Sequence, residues 1–321
     1  MRAARFHAWG TPPVLDEVPE PAREAGQVLV AVQAAGVAHL DVSVASGAFG
    51  MRPNLPYVGG VEGAGVVLEA DAGDADSGLA PGTQVLLRGA GLGLLRDGTW
   101  TERVSVPRKA VTPLAAPLPP EVAASFFVPA TTAHVALHDV GRVAKGEEVI
   151  VVGAAGAVGS MVAQQALAAG ATVLGVVGRA EQVARVPEGV EAVDGTDPAA
   201  AGRLAAVRSA SLLVDTLGGA DLVGRSRWVR QGGRAVVIGY VAGPRVELDL
   251  PSWLLDDVAL LPVNMIRQER RAREVSAELV RRLAAGELRL PVETFDLADT
   301  AAALDALRAG RVRGRAVVRP T

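Results

Sequence analysis

The chain has 321 residues, of which 50% are hydrophobic and 21% charged, and its formal net charge is -3. This length allows two domains, and the composition is that of a soluble globular protein. The small net charge excludes a global field that attracts nucleic acid or an anionic membrane. Because the sequence contains no cysteine, disulfides and thiolate metal ligands are also excluded. We find neither a secretory signal at residues 1–9 nor a run of about 20 apolar residues, so we expect a soluble, cytoplasmic protein.

The first third of the chain has the pattern of a β-rich unit. Short apolar runs at Gln27–Ala35, Gly63–Ala70 and Thr83–Arg88 are separated by glycine and proline, as in strands joined by tight turns. The acidic segment Asp71–Gly82 predicts a surface loop between two of these strands. The proline-rich segment Pro107–Pro120 lacks a helical period and predicts a connector.

From Glu121 onwards, helical and strand patterns alternate. Val122–Val140 predicts a helix that Pro129 kinks or interrupts. The elements predicted after it are the strand Glu148–Val152, the helix Val158–Ala169, the strands Thr172–Val177, Ser211–Val214 and Arg234–Ile238, the helices Arg270–Ala285 and Thr300–Ala309, and the strand Arg315–Val318. This alternation predicts an α/β fold with a doubly wound parallel sheet.

A glycine-rich turn joins the strand Glu148–Val152 to the helix that follows it. The turn consists of Gly153, Ala154, Ala155, Gly156, Ala157, Val158 and Gly159. The first glycine permits a tight turn, the second permits close approach of a pyrophosphate, and the third permits close packing of the helix on the sheet. The helix N-terminus then offers N–H groups to the phosphates, so we predict a dinucleotide site. The alternative is a βα turn that only packs tightly.

The end of the strand Thr172–Val177 predicts which dinucleotide is bound. NAD enzymes usually have Asp or Glu there to bind the ribose hydroxyls, whereas this chain has Gly178 and Arg179. The glycine leaves room for a 2′-phosphate and the arginine provides a charged partner, which favours NADP(H). Two alternatives are that Glu181 is a displaced ribose-binding acid and that Arg179 is a solvated surface residue.

Further motifs extend along nearly the whole chain. They lie at Gly36–Asp41, Leu55–Val67, Thr132–Leu137, Val214–Gly219, Gly233–Gly239 and Gly314–Val318. Together with the glycine turn they resemble the medium-chain dehydrogenase/reductase superfamily, in its zinc-free quinone oxidoreductase and enoyl reductase branch. The resemblance implies a GroES-like β domain at residues 1–118 and 263–321, a Rossmann domain at residues 119–262, and a cofactor held in the cleft between them.

The positions of zinc ligands in the related alcohol dehydrogenases are occupied by other residues here. Ala38, Val61 and Val128 stand at those positions, and His39 and Glu62 beside them are too few for a tetrahedral site, so no metal is expected. Without a Lewis acid, a conjugated acceptor is easier to reduce than a simple ketone. The resemblance therefore implies NADPH-dependent hydride transfer to a quinone or an α,β-unsaturated carbonyl.

The proton donor is the least determined part of the predicted site. The tyrosine and arginine that the branch often uses are replaced by Ser43 and Ala45. The candidates are Tyr57, Tyr240 and His39, because a phenol or an imidazole can supply a proton. Each of the three also has a structural interpretation, as a buried hydroxyl or as a loop histidine satisfied by backbone.

The resemblance also implies cofactor contacts and partners. It places Thr132, Gly239 and Tyr240 near the nicotinamide, and it implies a homodimer or homotetramer formed through Rossmann edge strands in the region Arg234–Leu250. The expected partner is a small carbonyl or quinone substrate, with no nucleic acid or membrane. Two other functions stay open: an enoyl or keto reductase that tailors a polyketide-type intermediate, and a non-catalytic NADP(H)-binding protein.

Overall fold

The computed structural model describes residues 1–47, 49–50 and 52–320. The chain forms two compact units, one of Met1–Phe127 with Leu290–Thr321 and the other of Val128–Arg289. The first is called the β unit below and the second the nucleotide unit.

The helices and strands follow in chain order. The first part contains β1 (Arg2–Phe6), β2 (Val14–Glu17), β3 (Gln27–Val37), α1 (His39–Ala45), β4 (Tyr57–Val58), β5 (Glu62–Glu69), β6 (Gln84–Arg88), β7 (Arg103–Pro107), β8 (Val111–Pro113) and α2 (Pro120–Ala123). The middle contains α3 (Phe127–His134), β9 (Glu148–Val152), α4 (Ala157–Ala168), β10 (Thr172–Val177), β11 (Glu191–Asp194), α5 (Pro198–Val207), β12 (Ala210–Asp215), α6 (Leu222–Ser226), β13 (Val229–Val237), α7 (Leu250–Asp256), β14 (Ala259–Pro262) and α8 (Glu269–Ala284). The last part contains β15 (Val292–Asp296), α9 (Thr300–Arg308) and β16 (Arg315–Arg319). Short 3-10 helices lie at Ala72–Ser77, Arg108–Ala110, Ala180–Arg185 and Leu297–Asp299, and a π-helical turn at Val135–Val140 continues α3.

The β unit contains a larger sheet of order β15-β16-β3-β5-β6-β8, in which β7 also pairs with β3, and a small sheet of order β2-β1-β4. Its core includes the fully buried Trp100, whose indole N–H donates to the Gly36 carbonyl at 2.9 Å. The returning strand β16 pairs antiparallel with β3, with Ala316 opposite Val37. This pairing brings the last strand of the chain beside the strand that leads into α1.

The nucleotide unit contains a parallel sheet of order β11-β10-β9-β12-β13-β14. Strand β9 is central, and its residues Val149–Val152 are buried, as expected for a strand covered on both faces. The order of strands reverses between β10 and β12, on the two sides of β9. In doubly wound sheets, the crevice outside the carboxyl ends of the strands at such a point is where ligands bind.

The helix predicted at Val122–Val140 is divided at a different place from the one expected. α2 ends at Ala123 and α3 begins at Phe127, so Pro129 lies in the first turn of α3. A proline there removes an N–H that has no helical partner, and it neither kinks nor breaks the helix. The loop predicted at Asp71–Gly82 likewise contains a short 3-10 helix.

The boundaries of the two units differ from those predicted at 118/119 and 262/263. β14 ends at the second predicted boundary and α8 follows it, and both belong to the nucleotide unit. The Gln164 side chain on α4 donates to the Arg289 carbonyl at 2.9 Å and accepts from the Arg289 N–H at 2.8 Å. α8 buries Ala272, Val275 and Leu279. An amphipathic helix that packs in this way extends the nucleotide unit to residue 289.

Candidate active site

The glycine turn, Gly153–Gly159, leaves the carboxyl end of β9 in the geometry that its sequence predicts. Gly153 has φ +80°, and a Cβ on it would contact the Thr216 hydroxyl. A Cβ on Gly159 would contact the carbonyl oxygen of Gly153, with the Ala154 Cα at 3.0 Å. Only glycine is compatible with such close backbone packing, so both positions are determined by the turn itself.

Gly156 differs from the other two glycines of the turn. It is exposed, it is the N-cap of α4, and a Cβ on it would meet only the Gly153 oxygen, at 3.3 Å. No side chain of the described residues caps α4 here. The first N–H groups of the helix are therefore available to an anion, and the partial positive charge of the helix N-terminus favours one.

The end of β10 presents an arginine and not an acid. Val177, the last residue of the strand, is buried, whereas Gly178 and Arg179 are exposed. The Arg179 Nε lies 3.3 Å from a carboxylate oxygen of Glu181, and both side chains are at least half exposed. Glu181, the alternative ribose-binding acid, therefore lies beside this arginine.

A buried ion pair holds the loop after β12. Asp215 is fully buried; one of its oxygens accepts the N–H groups of Leu217 and Gly218, both at 2.8 Å, and the other accepts from the Arg225 Nε at 2.7 Å. Arg225 also donates to the Gly218 carbonyl at 2.6 Å. The sequence motif included Asp215, but the contribution of Arg225, ten residues later on α6, was not predicted.

The loop after β13 packs on the same edge of the sheet. The Ala242 N–H donates to the Leu217 carbonyl at 2.9 Å, and a Cβ on Gly218 would contact the Gly239 backbone. The Tyr240 side chain, directly after Gly239, is 75% exposed. The structure therefore brings the glycine turn, the end of β10 and the loops after β12 and β13 together at the carboxyl ends of the parallel strands, which we call the sheet edge.

Thr132, in contrast, is buried on α3 of the same unit.

The β unit contains a buried charge cluster that we call the carboxylate cluster: Asp41, Glu62 and Arg315. Arg315 forms an ion pair with Glu62, and their side chains are only 13% and 2% exposed. Among the described residues, the second Glu62 oxygen and the Arg315 Nε have no hydrogen-bond partner. A charge pair this deeply buried costs desolvation, which its own attraction must offset.

Asp41 completes the carboxylate cluster. One of its oxygens accepts the Ala38 N–H at 2.8 Å and the other accepts the Val61 N–H at 3.1 Å, so this carboxyl bridges two backbone segments. Burial raises the pKa of Asp41 to about 7, and the negative charge of Glu62 acts in the same direction.

Two of the predicted proton donors lie close to the carboxylate cluster, in different environments. His39 is exposed at the start of α1, and partial desolvation together with the Arg315 guanidinium lowers its pKa. Tyr57 is 2% exposed and stacks on Phe6, with ring centroids 5.2 Å apart. Burial, and then the charge of Asp41, raise the pKa of Tyr57. Sequence reasoning did not single out Arg315, although an arginine inside an apolar strand pattern is a signal for a buried partner.

The donor set in this part of the chain does not suit zinc. Ala38 and Val61 offer no ligand atoms, and Glu62 is engaged by Arg315. Across residues 1–47, 49–50 and 52–320, no group of three or more histidines and carboxylates is placed to hold a metal ion.

Comparison with known proteins identifies the family. Residues 24–116 match the alcohol dehydrogenase GroES-like domain, and residues 189–318 match the zinc-binding dehydrogenase family. The quinone oxidoreductase of Mus musculus is 34% identical over 184 residues, which are 56% of this chain and 54% of the mouse protein, so the match spans about half the length of that relative. The quinone oxidoreductase of Lama guanicoe is 30% identical over 298 residues, which are 90% of this chain and 88% of that protein.

The fold comparison agrees with the sequence comparison. A mycobacterial protein solved in complex with NADPH has a TM-score of 0.83 and 25% identity, covering 100% of both chains. The predicted fold class, a GroES-like β domain with a Rossmann domain, is confirmed.

In the described residues, no helix has the length and apolar character that crossing a membrane requires. The chain belongs to the quinone oxidoreductase branch of the medium-chain dehydrogenase/reductase superfamily.

Proposed function

We propose that this protein is an NADPH-dependent oxidoreductase that transfers hydride to a quinone or an α,β-unsaturated carbonyl without a metal ion. The observation that carries the proposal is the glycine turn, where Gly153 and Gly159 leave no room for a Cβ, together with Arg179 at the end of the next strand. The quinone oxidoreductases among its relatives and the NADPH complex of a structural neighbour support the same assignment.

The cofactor fits the residues present at the sheet edge. The proposed contacts are made by Gly153, Ala154, Ala155, Gly156, Ala157, Val158 and Gly159 to the pyrophosphate, by Gly178 and Arg179 to the 2′-phosphate, and by Thr132, Gly239 and Tyr240 around the nicotinamide. The uncapped start of α4 supplies N–H donors for the pyrophosphate. Bound NADPH supplies the hydride; the protein orients the ring and keeps its reacting face toward the substrate.

The chemistry of the side chains supports the proposal that no metal ion takes part. Glu62 is committed to Arg315, and the neighbouring positions Ala38 and Val61 carry no ligand atoms. Such a site polarises a simple ketone poorly, because it lacks a Lewis acid. A conjugated C=C bond or a quinone spreads the developing negative charge over its own π-system, so the protein has to stabilise less charge.

Of the three candidate proton donors, we favour Tyr240. It is 75% exposed and lies on the edge of the sheet that carries the glycine turn. Tyr57 is enclosed by aromatic rings, and its raised pKa disfavours proton release. The lowered pKa of His39 leaves its imidazole mostly neutral near pH 7, which makes it the second candidate, through relay rather than direct donation.

The cofactor assignment is tested with Arg179→Ala. Losing a charge-assisted partner should raise the Kd of NADPH by about 10-fold to 100-fold and leave the Kd of NADH within about twofold. Fluorescence titration of the full chain with both cofactors measures this. Equal losses for the two cofactors, or tighter binding of NADH than of NADPH by the unaltered protein, contradict the assignment.

The reaction is tested by NADPH oxidation against a panel of quinones and enones, with and without a chelator. We expect turnover that the chelator does not affect, and a lower kcat with unchanged NADPH binding in Tyr240→Phe. Activity that requires added zinc contradicts metal independence. Tight NADPH binding without turnover on any acceptor favours the non-catalytic alternative instead.

We also propose that the protein is a homodimer, or a dimer of dimers, formed through the outermost strand of the parallel sheet. The edge strand is β14, outside the predicted region Arg234–Leu250, and it pairs only with β13 among the described strands. Apolar side chains stand exposed near it: Leu254 by 69%, Leu255 by 76% and Ile266 by 91%. An unpaired strand beside such a surface suits a second copy of the same edge. Light scattering should give twice or four times the monomer mass, and Leu254→Asp with Leu255→Asp should shift it to the monomer.

A further inference from the structure

One buried residue of α4 carries an amide among apolar neighbours. Gln165 is 1% exposed, and the buried residues beside it on the helix include Met161, Val162, Ala163 and Ala166. An apolar side chain of similar size would fill this position without a polar group to satisfy. A buried amide here therefore indicates a hydrogen-bonding requirement rather than a packing requirement.

The amide of Gln165 is only half satisfied. Its Nε2 donates to the Ala130 carbonyl of α3 at 3.0 Å, in a buried contact. Its Oε1 is also buried and has no hydrogen-bond partner among the described residues. Because a buried acceptor without a donor destabilises the fold, the bond to Ala130 is the one contribution by which the amide improves on an apolar side chain.

This hydrogen bond joins two helices of the nucleotide unit that carry proposed cofactor contacts. Gln165 lies on α4, whose N-terminus lies in the glycine turn and is proposed to bind the pyrophosphate. Ala130 lies on α3, two residues before Thr132, which is proposed to contact the nicotinamide. Two parts of one cofactor thus depend on two helices, and Gln165 is a direct polar link between them.

The apolar packing of these helices does not by itself determine how one is placed along the other. Ala130 and Ala133 of α3 are fully buried, and α3 continues into the π-helical turn Val135–Val140, against which α4 packs. Contacts of methyl groups have little directional preference, so several neighbouring placements have similar free energy. A hydrogen bond weakens steeply with distance and angle, so the bond from Gln165 selects one placement.

Thr132 is the side chain that a displacement of α3 would move. It is 4% exposed, and its hydroxyl has no hydrogen-bond partner among the described residues. Gln165 binds the backbone of α3 and leaves this hydroxyl available to a ligand. Hydride transfer requires reacting atoms about 3–3.5 Å apart, and a misplacement of about 1 Å can lower the rate about 100-fold. The placement of α3 therefore affects the reaction more strongly than it affects cofactor affinity.

We propose that Gln165 is a positioning residue, which fixes α3 and with it Thr132 relative to the pyrophosphate-binding end of α4. Through this contact it holds the nicotinamide ring at the distance that hydride transfer requires. Gln165 itself contacts neither cofactor nor substrate. The proposal rests on the NADPH binding and hydride transfer proposed above.

The test is Gln165→Met in the full chain, which keeps the length and approximate volume of the side chain and removes its amide. The acceptor is the best substrate from the panel of quinones and enones. We expect kcat to fall about tenfold and the Kd of NADPH to stay within about twofold, without a lower urea midpoint. The fluorescence of bound NADPH should also change, because it reports the surroundings of the nicotinamide ring.

Gln164→Met is the matched control. The Gln164 amide, next to Gln165 on α4, is bonded on both sides to the backbone of Arg289. Its removal should lower the urea midpoint and leave kcat within about twofold. Equal losses of kcat in Gln164→Met and Gln165→Met show general destabilisation and contradict the proposal.

A double variant tests whether Gln165 acts through Thr132. Thr132→Val should lower kcat by itself, because it removes the hydroxyl proposed to contact the nicotinamide. Adding Gln165→Met to Thr132→Val should lower kcat by less than about threefold, since residues that act through one another are not additive. Full additivity of the two losses shows that Gln165 does not act through Thr132.

The remaining outcomes separate the positioning role from the proposed function. NADPH binding with unchanged kcat and unchanged fluorescence of the bound cofactor in Gln165→Met overturns the positioning role alone. If the unaltered protein binds no NADPH, the proposed function fails and the positioning role fails with it. If NADPH binds but no acceptor is reduced, the fluorescence of the bound cofactor decides. If Gln165→Met does not fold, Gln165→Leu is measured with the same readouts and decides by the same criteria.

Discussion

The sheet edge of the nucleotide unit and the carboxylate cluster of the β unit are built in opposite ways. The sheet edge is made of backbone: Gly153 and Gly159 have no space for a side chain, and Arg179, the charge that we propose selects the cofactor, is half exposed. The carboxylate cluster is made of buried side chains, with Glu62 and Arg315 joined across 253 residues of sequence. The folding stability of the first region should therefore tolerate changes of charge but not of backbone space, whereas that of the second should not tolerate the loss of a single charge.

The largest effect is expected from removing Arg315. Arg315→Met leaves Glu62 buried with neither oxygen paired to a cation, which should lower the free energy of unfolding by about 3–5 kcal/mol. Chemical denaturation of the full chain measures it. Arg103→Met removes an exposed arginine of the same unit, whose pair with Glu20 has side chains 47% and 54% exposed, and should cost under about 1 kcal/mol.

The double variant Arg315→Met with Glu62→Met separates pairing from packing. Replacing both charges by apolar groups of similar volume should restore most of the lost stability, because no buried charge remains unpaired. If Arg315→Met and Arg103→Met lower the free energy of unfolding equally, Arg315 and Glu62 do not form a tightly buried pair.

The next largest effect tests the backbone of the sheet edge. Gly159→Ala forces a Cβ against the Gly153 carbonyl, where backbone must move, so we expect a loss of about 2 kcal/mol in unfolding free energy and of NADPH binding. Gly156→Ala meets only one oxygen, at 3.3 Å, and should change stability by less than about 1 kcal/mol.

Gly156→Ala should nevertheless weaken NADPH binding about tenfold, because its Cβ intrudes where the pyrophosphate approaches. Denaturation and cofactor titration of both variants separate the two roles. Should Gly156→Ala bind NADPH as well as the unaltered protein, the pyrophosphate does not approach this residue.

The two regions also differ in how much of their structure the sequence predicts. The strand Glu148–Val152 was predicted with the bounds that β9 has, and the helix after it was displaced by one residue, because local periodicity and glycine positions determine both. The division of the helix at Val122–Val140 was misplaced, because Pro129 is harmless in a first turn and the actual break at residues 124–126 carries no proline.

The parts that could not be predicted depend on contacts between distant residues. Nothing near Glu62 in the sequence indicates Arg315, and nothing near Asp215 indicates that Arg225 closes its loop. Single-sequence motifs report local backbone requirements, whereas a buried charge must find its partner through the tertiary fold. The same reason explains the second domain boundary, since the packing of α8 and not its composition assigns it to the nucleotide unit.

A pH titration sharpens the contrast at Asp41. Burial raises its pKa to about 7 from an ordinary value of 3.8, so the folded protein binds one more proton than the unfolded chain between these values. The contribution of Asp41 to the free energy of unfolding is complete below about pH 4 and is lost as the pH rises through 7. Between pH 5 and 7.5 we expect the free energy of unfolding to fall by about 2 kcal/mol. Asp41→Asn should remove this slope in denaturation curves.

Asp97→Asn is the matched control for the titration. Asp97 also accepts a backbone N–H, from Val58 at 2.8 Å, but it is exposed. Its replacement should leave the pH slope of the unaltered protein in place. An unchanged slope in Asp41→Asn shows that the buried carboxyl is not the group that titrates.

The smallest effect concerns charge at the sheet edge. Glu181 lies 3.3 Å from the Arg179 Nε, so under the proposed cofactor assignment it competes with the 2′-phosphate for the same guanidinium. Because the pair is exposed and worth under about 1 kcal/mol, Glu181→Gln should lower the Kd of NADPH only about twofold to threefold and leave that of NADH unchanged. Glu188→Gln, which replaces an exposed acid farther along the chain, should change neither Kd.

If Glu181 instead binds the ribose hydroxyls, its replacement raises the Kd of NADH, and Arg179 is then a surface residue. The sign of this small change thus decides between the two interpretations of the strand end, which the much larger effects at the glycine turn cannot do because both cofactors share the pyrophosphate.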